Sequence, residues 1–248
     1  MKNTLLGITI DNKKKIIILE QIKKYILLRE DFVHIVSINP ENIILAQRDR
    51  EFKKIIKTAQ IKIIDGVGIV MAAQILGIPI RERVTGVDLM DELIQLAETM
   101  RLTVLLVGGR GDLALSLSKC YQEQFPKAKF YGTDGFKDIT QPTKEEEEKL
   151  RAIVRSSKPN LIFAAFGSPA QELWLARQNS KFKGIVCMGV GQGFDIAGGM
   201  VQRAPVWVQK IGFEWLYRLL TQPWRWKRQL KLLEFTLLIL KEKFFFFS

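Results

Sequence analysis

The stretch IKIIDGVGIV, residues 61–70, places a carboxylate directly after a run of apolar residues. The first four residues have the length and β-branched composition of a buried strand, and a second apolar stretch follows Gly66. Asp65 and Gly66 are a common turn pair, because Asp hydrogen-bonds to its own backbone and Gly adopts positive φ without steric cost. A turn alone would explain the Asp-Gly pair, without any function. Because Asp65 stands at the end of a predicted strand, where ligands of open α/β sheets bind, it is also a candidate site residue.

The same arrangement of apolar runs and helical patterns repeats along the first 195 residues. Amphipathic stretches with apolar spacings of three and four, such as 87–100 and 112–125, lie between the runs. The alternation predicts an α/β, Rossmann-like, mostly parallel sheet covered on both faces, in a core of residues 1–195 whose two halves meet near residue 100. The candidate strands are 5–10, 32–38, 61–66, 103–109, 129–134, 160–166 and 184–191.

The pattern changes near residue 196 to a helical, basic segment, 196–248, that is interrupted at Pro223. The formal net charge of the chain is +12, and residues 201–248 hold nine basic and three acidic residues and four of the five tryptophans. Interleaved Trp and Lys/Arg suit a membrane interface with anionic lipid. No nucleic-acid-binding motif is present, and no apolar run approaches the ~20 residues of a spanning helix. We therefore expect a peripheral protein on the inner face of the cell membrane.

Composition restricts the possible chemistry. The two cysteines, Cys120 and Cys187, have no metal-ligand spacing, which indicates neither a disulfide framework nor a zinc site and predicts a reducing cytoplasm. No metal or other cofactor is expected. The single histidine, His34, lies in a strand pattern and is predicted to be a packed strand residue. Proton transfer is therefore expected to depend on carboxylates. No cleavage site follows the first apolar run, so that run is interpreted as a strand and not as a signal peptide.

Glycine-rich or polar loops follow four of the strands, where ligands of open α/β sheets bind. In GGRGD, 108–112, backbone amides could hold a phosphate, although a tight turn explains the glycines equally well. In GSPAQE, 167–172, we expect Ser168 to cap the helix that Pro169 begins. GVGQGFD, 189–195, is open enough for a ligand to approach the backbone. The candidate binding residues in these loops are Gly66, Gly108, Gly109, Gly167, Ser168, Gly191 and Asp195.

Two arginines precede a helix that is predicted to start near Thr85, in RERVTGVDL, residues 81–89. Arginine binds diphosphate through bidentate, charge-assisted hydrogen bonds. Arg81 and Arg83 are therefore candidates for binding such a group, and a surface ion pair explains either of them equally well.

Taken in order, DGVG, RVTGVDL, GSPAQE, GVGQGFD and EWLYRL resemble the motifs of the WecG/TagA/CpsF glycosyltransferases, over about residues 37–230. The resemblance implies an inverting enzyme that moves N-acetylmannosamine or a related sugar from a UDP donor to a polyprenyl-diphosphate-linked N-acetylglucosamine acceptor. Such enzymes serve bacterial cell-envelope polysaccharide synthesis, of the teichoic acid linkage unit type, and are not known for a required metal.

The resemblance also implies roles for individual residues. Asp65 corresponds to the proposed catalytic base of the family, and Arg83 and Gln171 correspond to functional positions. Ser37 stands where the family often has Thr. Substrate-binding positions implied in the same way are Ser37, Asn39, Arg218, Arg225 and Arg228, the three arginines closing over the site and binding diphosphate. Ala170 departs from the pattern, because the family usually has Lys there.

Two other functions fit parts of the sequence. A nucleotide-binding α/β oxidoreductase could use the glycine loops, although no dinucleotide fingerprint is complete. A noncatalytic membrane-docking protein could use the basic C-terminal segment alone.

The apolar faces of the C-terminal helices also predict self-association as a homo-oligomer. Removal of the residues after 196 is expected to abolish transfer and to leave the core folded.

Overall fold

The computed structural model describes residues 3–245, and the side chains of residues 225, 227–229 and 245 lie outside that description. The strands are β1 (Thr4–Leu5), β2 (Ile8–Thr9), β3 (Val33–Ile38), β4 (Ile61–Ile64), β5 (Thr103–Gly108), β6 (Lys129–Thr133), β7 (Leu161–Ala165) and β8 (Val186–Gly189). The helices of the first 200 residues are α1 (Lys15–Leu28), α2 (Pro40–Arg48), α3 (Arg50–Thr58), α4 (Val67–Ile75), α5 (Gly86–Met100), α6 (Leu113–Gln124), α7 (Lys144–Ser157), α8 (Ala170–Arg177) and α9 (Gly193–Ala197).

The predicted α/β fold with a parallel sheet is confirmed. Six strands form one sheet in the order β4-β3-β8-β7-β5-β6, and all neighbouring pairs run parallel. Strands from before and after residue 100 meet where β3 pairs with β8, so one sheet spans both predicted halves. Because every strand points the same way, all the loops at the carboxyl ends meet along one edge.

Helices cover both faces of the sheet, which explains why the strands are continuously apolar. Alternate residues of each strand point to opposite faces, so Leu106 packs with α1, α5 and α6 while Leu105 packs with α7 and α8. A third cluster joins β3 and β4 to α2, α3 and α4. His34 is buried in β3, and burial lowers the pKa of this residue to about 4, so its predicted role as a packed strand residue is confirmed.

One predicted strand is wrong. Residues 5–10 do not form a strand of the sheet but a small antiparallel hairpin, in which Leu5 pairs with Ile8. Leu6 and Gly7 both have positive φ, at 49° and 75°, which reverses the chain within two residues. The apolar pattern predicted burial correctly, but it did not reveal that the chain reverses direction within the run.

The C-terminal segment is helical, as predicted, with α10 (Val206–Lys210), α11 (Glu214–Thr221), a short 3₁₀ helix (Pro223–Arg225) and α12 (Trp226–Phe245). The interruption predicted at Pro223 coincides with the 3₁₀ helix. None of the described helices is long and apolar enough to cross a membrane. The predicted boundary at 195/196 falls within α9, and the division into two domains stays a prediction.

The last helix, α12, returns to the core and packs along α2 and α4. Phe235 and Ile239 are buried in the same cluster as β3 and β4. Ion pairs at 3.0 Å between Lys231 and Glu41 and at 2.6 Å between Glu234 and Arg48 hold the helix at its sides. The opposite face of α12 is an exposed apolar stripe with spacings of three and four, formed by Leu230, Leu233, Leu237, Leu240 and Phe244.

Candidate active site

A cavity of about 880 Å³ lies at the carboxyl ends of the parallel strands. The loops after all six strands of the sheet contribute to its lining, and α11 and the residues around it close one side. This volume lies within the range of about 300 to 1,000 Å³ that is usual for small-molecule sites. The cavity brings together twelve of the predicted site residues, namely Ser37, Asn39, Asp65, Gly66, Arg83, Gly109, Gly167, Ser168, Gln171, Gly191, Asp195 and Arg218.

Asp65 is placed in this cavity by the end of β4. Its amide donates to the carbonyl of Ile38 at 2.9 Å, which continues the pairing with β3, and Gly66 then turns the chain into α4 with φ of 89°. The Asp-Gly pair is therefore both the turn and the site. A methyl group on Gly86 would lie 3.3 Å from Ser37 Oγ and 3.6 Å from Asp65 Oδ2, so the backbone at Gly86 packs closely against both groups.

The surroundings of Asp65 change its acidity. Burial raises the pKa of the carboxyl above its usual value, and the Glu214 carboxylate acts in the same direction. The guanidinium of Arg218, the backbone amide of Gly86 and the guanidinium of Arg83 lower this pKa in part. A carboxylate with a raised pKa is a stronger base, which suits it to accept a proton from a substrate hydroxyl.

The two described arginines beside Asp65 come from different parts of the chain. Arg83 lies next to the end of β4, because the amide of Val84 donates to the carbonyl of Ile64 at 3.0 Å, and its guanidinium donates to the carbonyl of Gln209 at 3.2 Å. Arg218 is on α11 and donates to Glu214 at 2.6 Å. The cavity therefore has two guanidinium groups on the side of the carboxylate, where a diphosphate could bind.

Ser37 lies near the end of β3, Asn39 follows the strand, and both line the wall beside Asp65. The Asn39 side chain accepts from the amide of Asn42 at 2.8 Å and so caps α2. The Asn42 side chain donates in turn to the carbonyl of Ser37 at 2.9 Å. The side-chain oxygen of Asn39 is thus already used for capping. The Ser37 hydroxyl lies close to Gly86 in the cavity.

Gln171 joins two of the loops at the edge of the sheet. Its side-chain oxygen accepts from the amides of Gly167 at 3.0 Å and Gly191 at 3.2 Å, and its nitrogen donates to Glu172 at 2.8 Å. The side chain is buried and its polar atoms are all used. The geometry therefore supports a positioning role for Gln171, which holds the loops after β7 and β8 in place.

Ser168 does not cap α8 as expected. The first residue before the helix is Pro169, and the Ser168 hydroxyl donates instead to the Glu172 carboxylate at 2.7 Å. Glu172 is buried, and burial raises the pKa of its carboxyl, which the hydrogen bonds from Gln171 and Ser168 lower in part. This serine therefore stabilises a buried acid at the cavity wall.

The far side of the cavity, away from Asp65, is formed by the loops after β5 and β6, and Asp195 of α9 reaches this side. Asp195 lies 3.6 Å from the guanidinium of Arg110, and Lys137 lines the same region. Gly109 lines the cavity, whereas Gly108 does not, because the ring of Phe166 occupies the space where a side chain on Gly108 would lie. The side chains of Arg225 and Arg228 lie outside the described residues.

Several lining residues were not predicted from the sequence, among them Gly86, Arg110, Lys137, Glu172, Glu214 and Trp215. Gly86, Glu172 and Glu214 stand within the motifs RVTGVDL, GSPAQE and EWLYRL, so these motifs were the available signal in the sequence. Lys137 lies within the long loop between β6 and α7 and had no local signal. Ala170 is not among the lining residues and packs against the aromatic cluster around Trp174, so it does not leave a gap in the cavity wall.

The chain is similar to known proteins over nearly its whole length. A family model described as "Glycosyl transferase WecG/TagA/CpsF family" matches residues 3–247. The chain belongs to this family. This WecG/TagA/CpsF protein is therefore a glycosyltransferase, and the match supports neither an oxidoreductase nor a noncatalytic membrane-docking protein.

Curated relatives of this WecG/TagA/CpsF protein carry a specific name. A Bacillus subtilis (strain 168) protein is 30% identical over 209 residues, which is 84% of this chain and 78% of the relative. A Staphylococcus aureus (strain NCTC 8325 / PS 47) protein is 30% identical over 228 residues, 92% of this chain and 86% of the relative. Both are named N-acetylglucosaminyldiphosphoundecaprenol N-acetyl-beta-D-mannosaminyltransferase.

Proposed function

We propose that this glycosyltransferase moves N-acetylmannosamine from UDP to N-acetylglucosaminyl-diphosphoundecaprenol, with inversion at the anomeric carbon, in teichoic acid linkage unit synthesis. The names of the two relatives support the acceptor and the transferred sugar. The observation that carries the mechanism is the position of Asp65. It is a carboxylate with a raised pKa in the main cavity, with the guanidinium groups of Arg83 and Arg218 close enough to influence it.

In the proposed reaction, the Asp65 carboxylate accepts the proton of the acceptor hydroxyl. The hydroxyl oxygen then forms a bond to the anomeric carbon as the bond from that carbon to the UDP oxygen breaks, and UDP leaves with the electron pair. Such base catalysis commonly contributes about 10² to 10⁴ in rate. A single displacement needs one free carboxylate, and the neighbouring acids Glu172 and Glu214 are already engaged with Ser168, Gln171 and Arg218.

Arginine side chains offset the charge of the departing diphosphate in this scheme. Arg218 and Arg83 supply positive charge on the side of Asp65, and Arg110 and Lys137 supply it on the far side. Among the described residues, no group of three or more His, Cys, Asp or Glu side chains could hold a metal ion. We expect transfer to continue after dialysis against EDTA, and strict recovery of activity by added Mg²⁺ would contradict this part of the scheme.

We propose that the reaction takes place at the inner face of the cell membrane, since the proposed acceptor is a lipid. The exposed stripe of α12 and the exposed Trp207, Trp224 and Trp226 can enter the headgroup region of a bilayer. Trp224 also lines the cavity, which connects this surface to the active site. In the absence of lipid, the stripe is expected to associate with a second copy of the chain.

The test of this function is UDP release by the full-length protein with UDP-N-acetylmannosamine and a short-chain polyprenyl-diphosphate N-acetylglucosamine. We expect turnover by the native protein and a loss of about 10² to 10⁴ in Asp65→Asn. Asp31→Asn is the matched control, since Asp31 is an exposed carboxylate before β3, at the opposite edge of the sheet. No turnover by a folded native protein would reject the proposed donor and acceptor, and full activity of Asp65→Asn would reject the base.

A further inference from the structure

The guanidinium of Arg218 has two acidic side chains within its reach, and it pairs with only one of them. Its terminal nitrogen donates to Glu214 Oε1 at 2.6 Å, one helical turn earlier on α11. Both side chains are largely buried and both line the cavity. Burial makes such a pair less sensitive to salt than a surface ion pair. The guanidinium of Arg218 is thus held toward Glu214, on the same helix.

Asp65 is the second acidic side chain, and Arg218 forms no ion pair with it. Within residues 3–245, and excluding the side chains left out there, no Lys or Arg nitrogen lies within ion-pair distance of Asp65. Arg218 is nevertheless close enough to lower the pKa of Asp65, and Arg83 does so more weakly. An unpaired carboxylate beside an arginine needs a competing acceptor for that arginine, because two opposite charges in a partly buried cavity attract strongly.

We propose that Glu214 is a positioning residue that holds the guanidinium of Arg218 away from Asp65 and so keeps the base free. This inference rests on the proposed function, because it assigns Asp65 the proton-accepting role. Glu214 acts through the geometry of Arg218 and through its own negative charge. It touches neither the acceptor hydroxyl nor the anomeric carbon in this scheme.

Two consequences follow for the base. The Glu214 carboxylate raises the pKa of Asp65 directly, whereas Arg218, the Gly86 amide and Arg83 lower it. Without the Glu214 charge, Arg218 is free to turn to Asp65, and both changes lower the pKa of the base. A paired carboxylate of lower pKa accepts a proton less readily, so the transfer rate falls.

Glu214 is also the first residue of α11, where an acidic side chain stabilises a helix through the helix dipole. That purely structural role predicts a loss of stability without any change in the acidity of Asp65. The pH dependence of transfer separates the two roles, because only the proposed role moves the pKa that controls the acid side of the profile.

The experiment measures UDP release against pH for the native protein, Glu214→Gln and Glu214→Asp, with circular dichroism and melting temperature recorded for each. For Glu214→Gln we expect an acid limb at lower pH and a fall of roughly tenfold in the plateau rate. Glu214→Asp retains the charge and is expected to keep the acid limb near its native position. The matched control is Glu234→Gln, which removes an exposed ion pair between Glu234 of α12 and Arg48 of α2. It should change neither the acid limb nor the plateau rate.

The outcomes are distinguishable from failure of the proposed function. If the native protein releases no UDP, the proposed function itself fails. If the native protein turns over and folded Glu214→Gln keeps the native acid limb, the positioning role is overturned whatever happens to the plateau rate. A double variant, Glu214→Gln with Arg218→Gln, adds a second check. Its acid limb should return toward the native position, since no arginine on α11 remains to pair with Asp65.

Discussion

At the scale of single residues, the acidity of Asp65 is the property that the structure predicts most directly. Burial raises the pKa of this carboxyl above its ordinary value of about 3.9. The group accepts a proton only when it is ionised, so the transfer rate should fall as the pH decreases through the raised pKa. We expect kcat/KM to show an acid limb above the normal range of aspartate, measured by UDP release between pH 4 and 9.

The control for this limb is Glu234→Gln, which alters a carboxylate that pairs with Arg48 and does not line the cavity, so it should leave the profile unchanged. An activity that stays constant down to about pH 4 would show that Asp65 titrates as an ordinary exposed aspartate. The raised pKa would then be wrong, even if Asp65 were still needed for transfer.

The same burial predicts that Asp65 lowers the stability of the protein. Because the folded state raises the pKa of the Asp65 carboxyl, ionisation is penalised in the folded protein at pH values above the folded-state pKa. Below the unfolded-state pKa, both states bind the proton and the penalty disappears. Asp65→Asn should therefore raise the melting temperature at pH 8, and the gain should diminish as the pH falls toward 4. Parallel thermal melts of Asp31→Asn provide the comparison.

At the scale of elements, α12 is part of the core and not only a surface appendage. Phe235 is buried among residues of α2, β3 and α4, and truncation of a buried Phe to Ala typically costs about 3 to 5 kcal/mol. We expect Phe235→Ala to lower the free energy of unfolding by roughly this amount in urea denaturation. Leu237→Ala, on the exposed face of the same helix, should change it by less than about 0.5 kcal/mol.

This packing changes what truncation should do. The sequence suggested that a protein ending near residue 196 would keep a folded core, since the basic helical segment looked separate. Removal of α12 would expose the cluster around Ile43, Ile64 and Ile69, so we now expect the truncated protein to be markedly less stable. Equal unfolding free energies for the truncated and full-length proteins would show that the packing of α12 contributes nothing.

The difference between prediction and structure follows from the range of the interactions. Apolar periodicity is a local signal, so it located the six strands of the sheet and the helix from Gly86 to Met100. The parallel order then brought Asp65, Gly167 and Gly191 to one edge, as the positions of these residues after strands predicted. The return of α12 to α2 depends on contacts about 190 residues apart, such as Lys231 with Glu41, and no local pattern reveals these.

The functions of individual site residues show the same limit. Gln171 was predicted as a site residue from its motif, but only the structure shows that its amide oxygen accepts from the loops after β7 and β8. Glu214 follows no strand, and its place in the motif EWLYRL was the only signal for it in the sequence. Its contact with Arg218 is visible at helical spacing, but its position beside Asp65 depends on how α11 folds over the sheet.

At the scale of the whole molecule, the apolar stripe on α12 is predicted to be the surface that meets the membrane. The stripe residues Leu233 and Leu237 are exposed, and the opposite face of the helix is fixed to the core by Phe235 and Ile239. Insertion of the stripe into the headgroup region would bury apolar surface while basic residues of the same segment face anionic lipid. Because Trp224 belongs to both the exposed surface and the cavity lining, docking would bring the acceptor lipid to the cavity.

The corresponding experiment is sedimentation of the protein with vesicles that contain anionic lipid. The double variant Leu233→Asp and Leu237→Asp should lower the bound fraction by at least about tenfold in partition coefficient, since two apolar groups are lost and negative charge is added. The matched control is Leu27→Asp with Leu28→Asp, which changes two exposed leucines on α1. If the α1 variant loses binding and the α12 variant retains it, the membrane-facing surface lies at α1. If neither variant loses binding, basic residues alone account for attachment, and the binding should then disappear in high salt.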